Sequence, residues 1–179
     1  MIATPRLVLR RWRPEDREAY AAMMTDPDVC FWLGTDPNRE AVLGSIDRLE
    51  AHLRTNGDDV LVIERRADSA FVGAAELMAV NPTLPPAPGH QVGWRLAPSA
   101  RGSGYASEAA QALLAFGFDR LSLTEILAFT AETNARSRAV MERVGMQRDP
   151  ARDFDHPAFG AGHHLRRHIV YSARPRHVL

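Results

Sequence analysis

Lysine is absent from the 179 residues, so all 22 basic side chains are arginine. Arginine forks suit phosphate and carboxylate, but a coding bias explains the pattern equally well, and it selects no function. Cysteine is nearly as scarce. Cys30 alone excludes an intramolecular disulfide and a cysteine-rich metal site, and its apolar setting, Val29-Cys30-Phe31-Trp32-Leu33, suits an inert buried thiol more than a nucleophile. Net charge is also missing: 22 acidic residues balance 22 basic ones. That removes long-range attraction to nucleic acid or an anionic membrane, and clustered basic residues beside aromatics do not extend past Arg166-Arg167. Long apolar runs are lacking too. None approaches the ~20 residues of a membrane span, and Met1 to Arg6 has no secretory apolar core. A soluble cytoplasmic protein with no membrane or nucleic-acid partner is the expectation. Internal repeats, low-complexity segments and linkers are likewise lacking, so one domain over 1–179 is expected.

What is present centres on Pro98-Ser99-Ala100-Arg101-Gly102-Ser103-Gly104-Tyr105-Ala106-Ser107-Glu108-Ala109. A strand pattern, Gln91 to Leu96, precedes it, and a helix pattern to about Arg120 follows, with Ala106, Ala109, Ala110, Leu113, Leu114 and Phe118 near helical spacing. The first turn of a helix has N–H groups without intrahelical acceptors and a positive dipole end. Glycines there remove the side chains that would hold a phosphate away. Arg101 to Ala106 therefore reads as a cradle for a phosphate or diphosphate, although a Gly-Ser-Gly turn is also an ordinary flexible loop.

Upstream, Leu7 to Trp12 reads as a strand, and Pro14-Glu15-Asp16 starts a helix that ends by Pro27. Val29 to Thr35 reads as a linking segment with aromatics. Asp36-Pro37 starts a second helix, with the stripe Val42, Ile46, Leu49 and Leu53 running to about Arg54. Val60–Arg65 and Phe71–Met78 form a hairpin about Arg66 to Ser69, followed by a stiff loop with Pro82, Pro85, Pro86 and Pro88. Downstream, the strand Ile126–Thr130 leads to Asn134, a good N-cap, and to a helix stopped at Gly145-Met146. Two consecutive strand–helix units imply parallel strands with ligands at their carboxyl ends, which places Asn134 and Ser137 near the glycine turn. Asp149 to Arg167 reads as irregular, with Asp153, Asp155, His156, His163 and His164, before a last strand, His168–Ser172.

Two motifs at compatible spacing, Gly93-Trp94-Arg95-Leu96-Ala97-Pro98 with Arg101 to Ala109, and Asn134-Ala135-Arg136-Ser137 with Gly145-Met146, make the chain resemble the GNAT superfamily of N-acetyltransferases. It is similar in particular to the branch holding the ribosomal-protein N-terminal acetyltransferases. The resemblance covers Leu7 to Tyr171. It implies an α/β fold in the α+β mixed-sheet sense, a mostly antiparallel sheet with a splayed parallel strand pair and helices on both faces. It implies acetyl-CoA as co-substrate, no metal, and an amine acceptor that is a small molecule or a protein N-terminus, in a monomer or homodimer. It implies diphosphate binding by backbone at Arg101, Gly102, Ser103, Gly104, Tyr105 and Ala106, and pantetheine contacts at Trp94, Leu96, Ala97 and Asn134. The acceptor wall would come from Phe31, Trp32, the proline-rich loop and His156 to His164.

The implied chemistry is direct attack of a neutral amine on the thioester in a ternary complex. Bound geometry replaces a bimolecular encounter, and Leu96 or Ala97 N–H stabilises the oxyanion. Ser137 matches a residue assigned as the acid that protonates the leaving thiolate, and it equally suits a helix cap. Relatives often have a glutamate where Gln91 stands, and Gln91 cannot accept a proton. Ser99 also departs from the usual Gln or Arg, which Arg101 could offset. Glu76, Asp155, His156, His168 and a water relay remain as bases. An α-amine of pKa ~7.7–8.0 needs less help than a lysine side chain at ~10.4. Two rivals stand beside this reading. A dinucleotide-binding oxidoreductase suits Gly102-Ser103-Gly104 but lacks the acidic residue that would bind the ribose. A non-catalytic acyl-CoA-binding regulatory module is consistent with Gln91.

Overall fold

The computed structural model describes residues 1–56 and 60–175. They fall into two compact units, one of residues 1–76 with 94–109, the other of 77–93 with the residues from 110 on.

In the first unit β1 (Ile2–Ala3) and β2 (Leu7–Arg10) lead to α1 (Asp16–Met24), α2 (Pro27–Leu33), α3 (Arg39–Asn56), β3 (Val60–Arg65) and β4 (Phe71–Ala79), the last running on into the second unit. β1 to β4 pair antiparallel in that order, with Ile2 opposite Leu9, Leu9 opposite Ile63 and Ile63 opposite Gly73. Strand alternation puts Val60 and Ala74 on one face, where Tyr20, Ala21, Met23, Val29, Val42 and Ile46 of the three helices close a core over them. Beside that core lies a buried ion cluster. Arg10 donates two hydrogen bonds to Asp16, at 2.7 and 2.8 Å, and a third to Glu64, while Asp16 also accepts the Arg13 N–H.

Two helix starts differ from the sequence reading. Of the expected Val29–Thr35 linker, Val29 to Leu33 belong to a helix, and Gly34 and Thr35 follow its end. Asp26 caps it by accepting the N–H groups of Asp28 and Val29, Pro27 fills its first turn, and Gly34 ends it at φ 66°. α3 begins after Asp36-Pro37, because Asn38 is the residue whose side chain accepts the Ala41 N–H.

β5 (His90–Leu96) and α4 (Tyr105–Asp119) contribute residues to both units. In the first unit Ala97 N–H donates to Val72 O at 2.9 Å. Gly73 is what allows that approach: a Cβ there would lie 2.1 Å from the Arg95 carbonyl oxygen.

The second unit adds β6 (Ile126–Ala131), α5 (Ala135–Arg143), β7 (Gln147–Arg148), β8 (Phe154–Asp155) and β9 (Arg167–Ala173). β5 runs parallel to β6, and among the described residues their register is the single pair Gln91–Leu127, as a splayed pair requires. β9 is antiparallel to β6 from Ile126–Ala173 to Ala131–His168, and β7 and β8 pair with β9. Gly117 lets α4 lie close to β6, since a Cβ there would be 2.5 Å from the Ile126 side chain. Leu84 and Ala87 of the proline-rich loop pack with Phe129 against Val80, Leu127, Phe154 and Val170. The whole is the expected mixed α/β sheet, mostly antiparallel, with one parallel strand pair.

Candidate active site

After Leu96 the chain makes a short 3-10 turn, Pro98–Ala100, then turns twice through left-handed glycines, Gly102 at φ 77° and Gly104 at φ 78°. A Cβ at Gly102 would meet nothing within 4 Å, so backbone conformation rather than space requires glycine there. α4 then opens at Tyr105. Arg6 grips this turn from its carbonyl side: it donates to Ser103 O at 2.8 Å and lies over the Tyr105 ring. Glu108 completes the clamp by accepting from Arg6 Nε at 2.6 Å, Arg6 N–H at 2.8 Å and Thr4 Oγ1 at 2.6 Å. Burial works to raise the Glu108 pKa, but these three donors hold it below the usual carboxylate value. The Ser103 carbonyl is thus directed to Arg6 and the Gly104 carbonyl to the Glu108 N–H, and the first-turn N–H groups keep their outward bias.

Arg101 stands apart from its neighbours. Its N–H closes the 3-10 turn onto Pro98 O at 3.3 Å, and its guanidinium pairs with Asp28 at 2.5 Å and lies 3.6 Å from Asp26. The stretch available as an anion cradle is therefore Gly102 to Ala106. Strand alternation also separates the two expected oxyanion donors. Ala97 N–H is committed to Val72 O, so Leu96 N–H, like that of Trp94, points to the opposite edge of β5.

In the second unit Asn134 accepts the Ser137 N–H with its side chain, at 3.2 Å, and so starts α5. Ser137 itself is half-buried in the first turn. Just ahead of the cap, Glu132 N–H donates to Arg167 O at 2.8 Å, which ties the end of β6 to the start of β9.

The candidate bases occupy different surroundings. Glu76, in the first unit, accepts from Arg95 at 3.2 Å, and Arg95 reaches Tyr20 OH at 3.5 Å. The Glu76 charge, with smaller help from Tyr20, holds the Arg95 guanidinium above its ordinary value. Asp155 pairs with Arg166 at 3.0 Å and lies 3.6 Å from Arg167. The His156 and His168 rings meet at 4.9 Å, tilted by 38°. Burial lowers the pKa of both, and takes His168 to about 4. Ala158 N–H donates to His156 Nδ1, whereas His168 Nδ1 lies 3.5 Å from the Arg166 carbonyl, which places the His168 lone pair at Nε2. Sequence reasoning missed the Arg6–Glu108 clamp and Gly73. An isolated glycine inside a strand pattern was the signal for the second; nothing local marked the first, whose partners are 102 residues apart.

Among the described residues no group of three or more His, Cys, Asp or Glu is placed to hold a metal ion, and no helix is long and apolar enough to cross a membrane. Comparison with known proteins gives the arrangement its context. Residues 6–147 match the acetyltransferase (GNAT) domain family. The chain is 42% identical over 60 residues to the uncharacterized N-acetyltransferase YnaD of Bacillus subtilis (strain 168), a match spanning 34% of this chain and 35% of that protein. It is 24% identical over 152 residues to YoaA of the same organism, spanning 83% and 84%. A GNAT-family acetyltransferase from Bacillus anthracis superimposes with a TM-score of 0.78 at 25% identity, covering 97% of each chain. A spermidine N-acetyltransferase from Vibrio cholerae, solved with CoA and spermine, does so at 0.76 and 17%, covering 96% of each. With most of its length matched by that family, and with the strand, double-glycine turn and helix in the expected order, the chain belongs to the GNAT family of acetyltransferases and is an acyltransferase.

Proposed function

We propose that the chain, as a single acetyltransferase domain over 1–179, moves the acetyl group of acetyl-CoA to a primary amine by direct attack in a ternary complex. The observation that carries this is the turn at Gly102 and Gly104, left-handed twice and clamped by Arg6 from its carbonyl side. Such a turn offers the backbone N–H groups of Gly102 to Ala106 to a diphosphate. Trp94 and Leu96 present strand backbone to the pantetheine arm, and Asn134 is its further contact.

The amine attacks the thioester carbonyl carbon as the C–S bond breaks. Leu96 N–H stabilises the oxyanion as it forms, and Ser137 Oγ gives a proton to the departing thiolate. Nitrogen loses its extra proton after the attack, when it has become far more acidic, so a weak base suffices. Glu76 and Asp155 already serve as arginine counter-ions. The neutral pair His156–His168 is the remaining acceptor, with its lone pair at His168 Nε2. YnaD and YoaA are N-acetyltransferases by name, which agrees with this reading.

The test is release of CoA thiol from acetyl-CoA across a panel of amines between pH 6 and 9. Amine-dependent release is expected. Tight acetyl-CoA binding with no release for any amine would instead favour a regulatory acyl-CoA-binding module.

A further inference from the structure

The second unit carries a ladder of aromatic rings. Phe129 meets Phe154 edge-on at 5.5 Å, and Phe154 stacks on His168 at 5.3 Å. His168 meets His156 at 4.9 Å, and His156 meets Phe159 at 5.1 Å. Phe159 stacks on His163 at 4.7 Å within 10° of parallel, and His163 stacks on His164 at 4.6 Å. The series starts at buried Phe154, passes half-buried His168, His156 and Phe159, and ends at exposed His163 and His164.

Register sets where the ladder stands. Leu127 is opposite Gln91, Ala131 is opposite His168, and His168 is opposite Phe154. Alternation along β6 therefore puts Gln91, Phe129, His168 and Phe154 on one face of the sheet. At its outer end the ladder is bonded to the residues directly ahead of the Asn134 cap, through Glu132 N–H to Arg167 O and Thr133 Oγ1 to His164 O at 3.5 Å. Arg167 and His164 are thus tied by their backbone carbonyls to the residues ahead of the helix that carries Ser137.

Charge narrows the ligand. The carboxylates on this segment are matched to arginines: Asp149 to Arg152, Asp153 to Arg148, and Asp155 to Arg166. Arg167 adds a further positive charge, 3.7 Å from Asp153. A polycation would find arginines and aromatic rings here, with the segment's aspartates already paired. A flat ring would find faces and edges at aromatic spacing, where offset and edge-on contacts are favoured.

We propose that the ring ladder Phe154–His168–His156–Phe159 selects the acceptor, and that the acceptor is a primary amine carried on an aromatic ring rather than a polyamine. The inference rests on the acetyl-transfer reading above. It is tested by initial rates of CoA thiol release with 2-phenylethylamine, n-butylamine and spermidine at equal acetyl-CoA. kcat/KM for 2-phenylethylamine is expected to exceed the other two at least tenfold. Phe159→Ala is expected to lower kcat/KM for 2-phenylethylamine about tenfold and that for n-butylamine far less, with KM for acetyl-CoA unchanged and Phe159→Leu intermediate. Spermidine or n-butylamine used as well as 2-phenylethylamine overturns the inference while acetyl transfer stands. Thiol release with none of the three, together with failure to bind acetyl-CoA, overturns the transfer reading and the inference with it. Loss of n-butylamine turnover in both Phe159 variants, in parallel with 2-phenylethylamine, shows a structural role for Phe159 and also overturns the inference.

Discussion

Single residues decide the chemistry proposed for this chain, and each decision has a physical handle. Ser137 gives its N–H to the Asn134 cap, and its hydroxyl is the proposed proton donor to the thiolate. Ser137→Ala keeps the first and removes the second. Turnover is expected to fall at least tenfold with acetyl-CoA affinity unchanged, measured by steady-state rates beside calorimetric binding. Unchanged turnover would leave Ser137 as a helix residue alone. Gly73 makes the opposite kind of prediction, about geometry rather than chemistry. Its substitution by alanine drives a Cβ to 2.1 Å from the Arg95 carbonyl oxygen, so β5 must shift. Gly73→Ala is expected to weaken acetyl-CoA binding and to lower the urea midpoint together.

His168 links a residue to a pH range. Burial lowers its folded pKa from 6.5 to about 4, so the unfolded chain binds the proton more readily. Its contribution to stability is complete above pH 6.5 and is lost as pH falls from there toward 4. Below about pH 4 the carboxylates Glu108 and Asp153, whose donors hold their pKa low, lose their own contributions. His168→Phe keeps a ring in the ladder and removes the titration. Urea midpoints measured between pH 7 and 4.5 are expected to fall more steeply for the wild type than for the variant, which keeps His156 with its own lowered pKa. Equal slopes would show that other groups govern this range. The same variant is expected to reduce kcat, since it also removes the proposed proton acceptor.

At the scale of elements, what was legible in the sequence was whatever is encoded locally. The β5–turn–α4 and β6–α5 sequences are readable because strand alternation, glycine and N-cap follow one another within a few residues, and the β3–β4 hairpin closes over a short turn. α2 was not read. Pro27 served as the end of α1, although Asp26-Pro27 with Gly34 beyond is a cap, a first-turn proline and a left-handed stop. β1, β7 and β8 are two residues each, too short for alternation to show. Their existence depends on pairing partners distant in the chain. The same holds for the buried cluster of Arg10, Asp16 and Glu64, where no local pattern joins residue 10 to residue 64. Arg10→Met would leave buried Asp16 and half-buried Glu64 without this cation. That is expected to cost about 3–5 kcal/mol by denaturant unfolding, whereas Asp47→Asn, at an exposed pair with Arg17, is expected to cost under about 1 kcal/mol.

For the molecule as a whole, each unit carries its own proposed residues: the glycine turn and its Arg6–Glu108 clamp in the first, Ser137 and the ring ladder in the second. The family was readable because its two motifs are short and local. The proposed acceptor surface was not, because the ladder draws rings from β6, β8, β9 and the loop between the last two, and its order exists only in the folded chain. The clamp and the cradle belong to one unit, so the central claim can be tested there directly. Acetyl-CoA affinity by isothermal titration calorimetry, for the wild type and for Gly104→Glu with its fold checked by circular dichroism, measures it. A folded Gly104→Glu protein that has lost affinity at least tenfold is the expected result; one that binds acetyl-CoA as the wild type does would contradict the assignment of the Gly102–Ala106 turn as the diphosphate cradle.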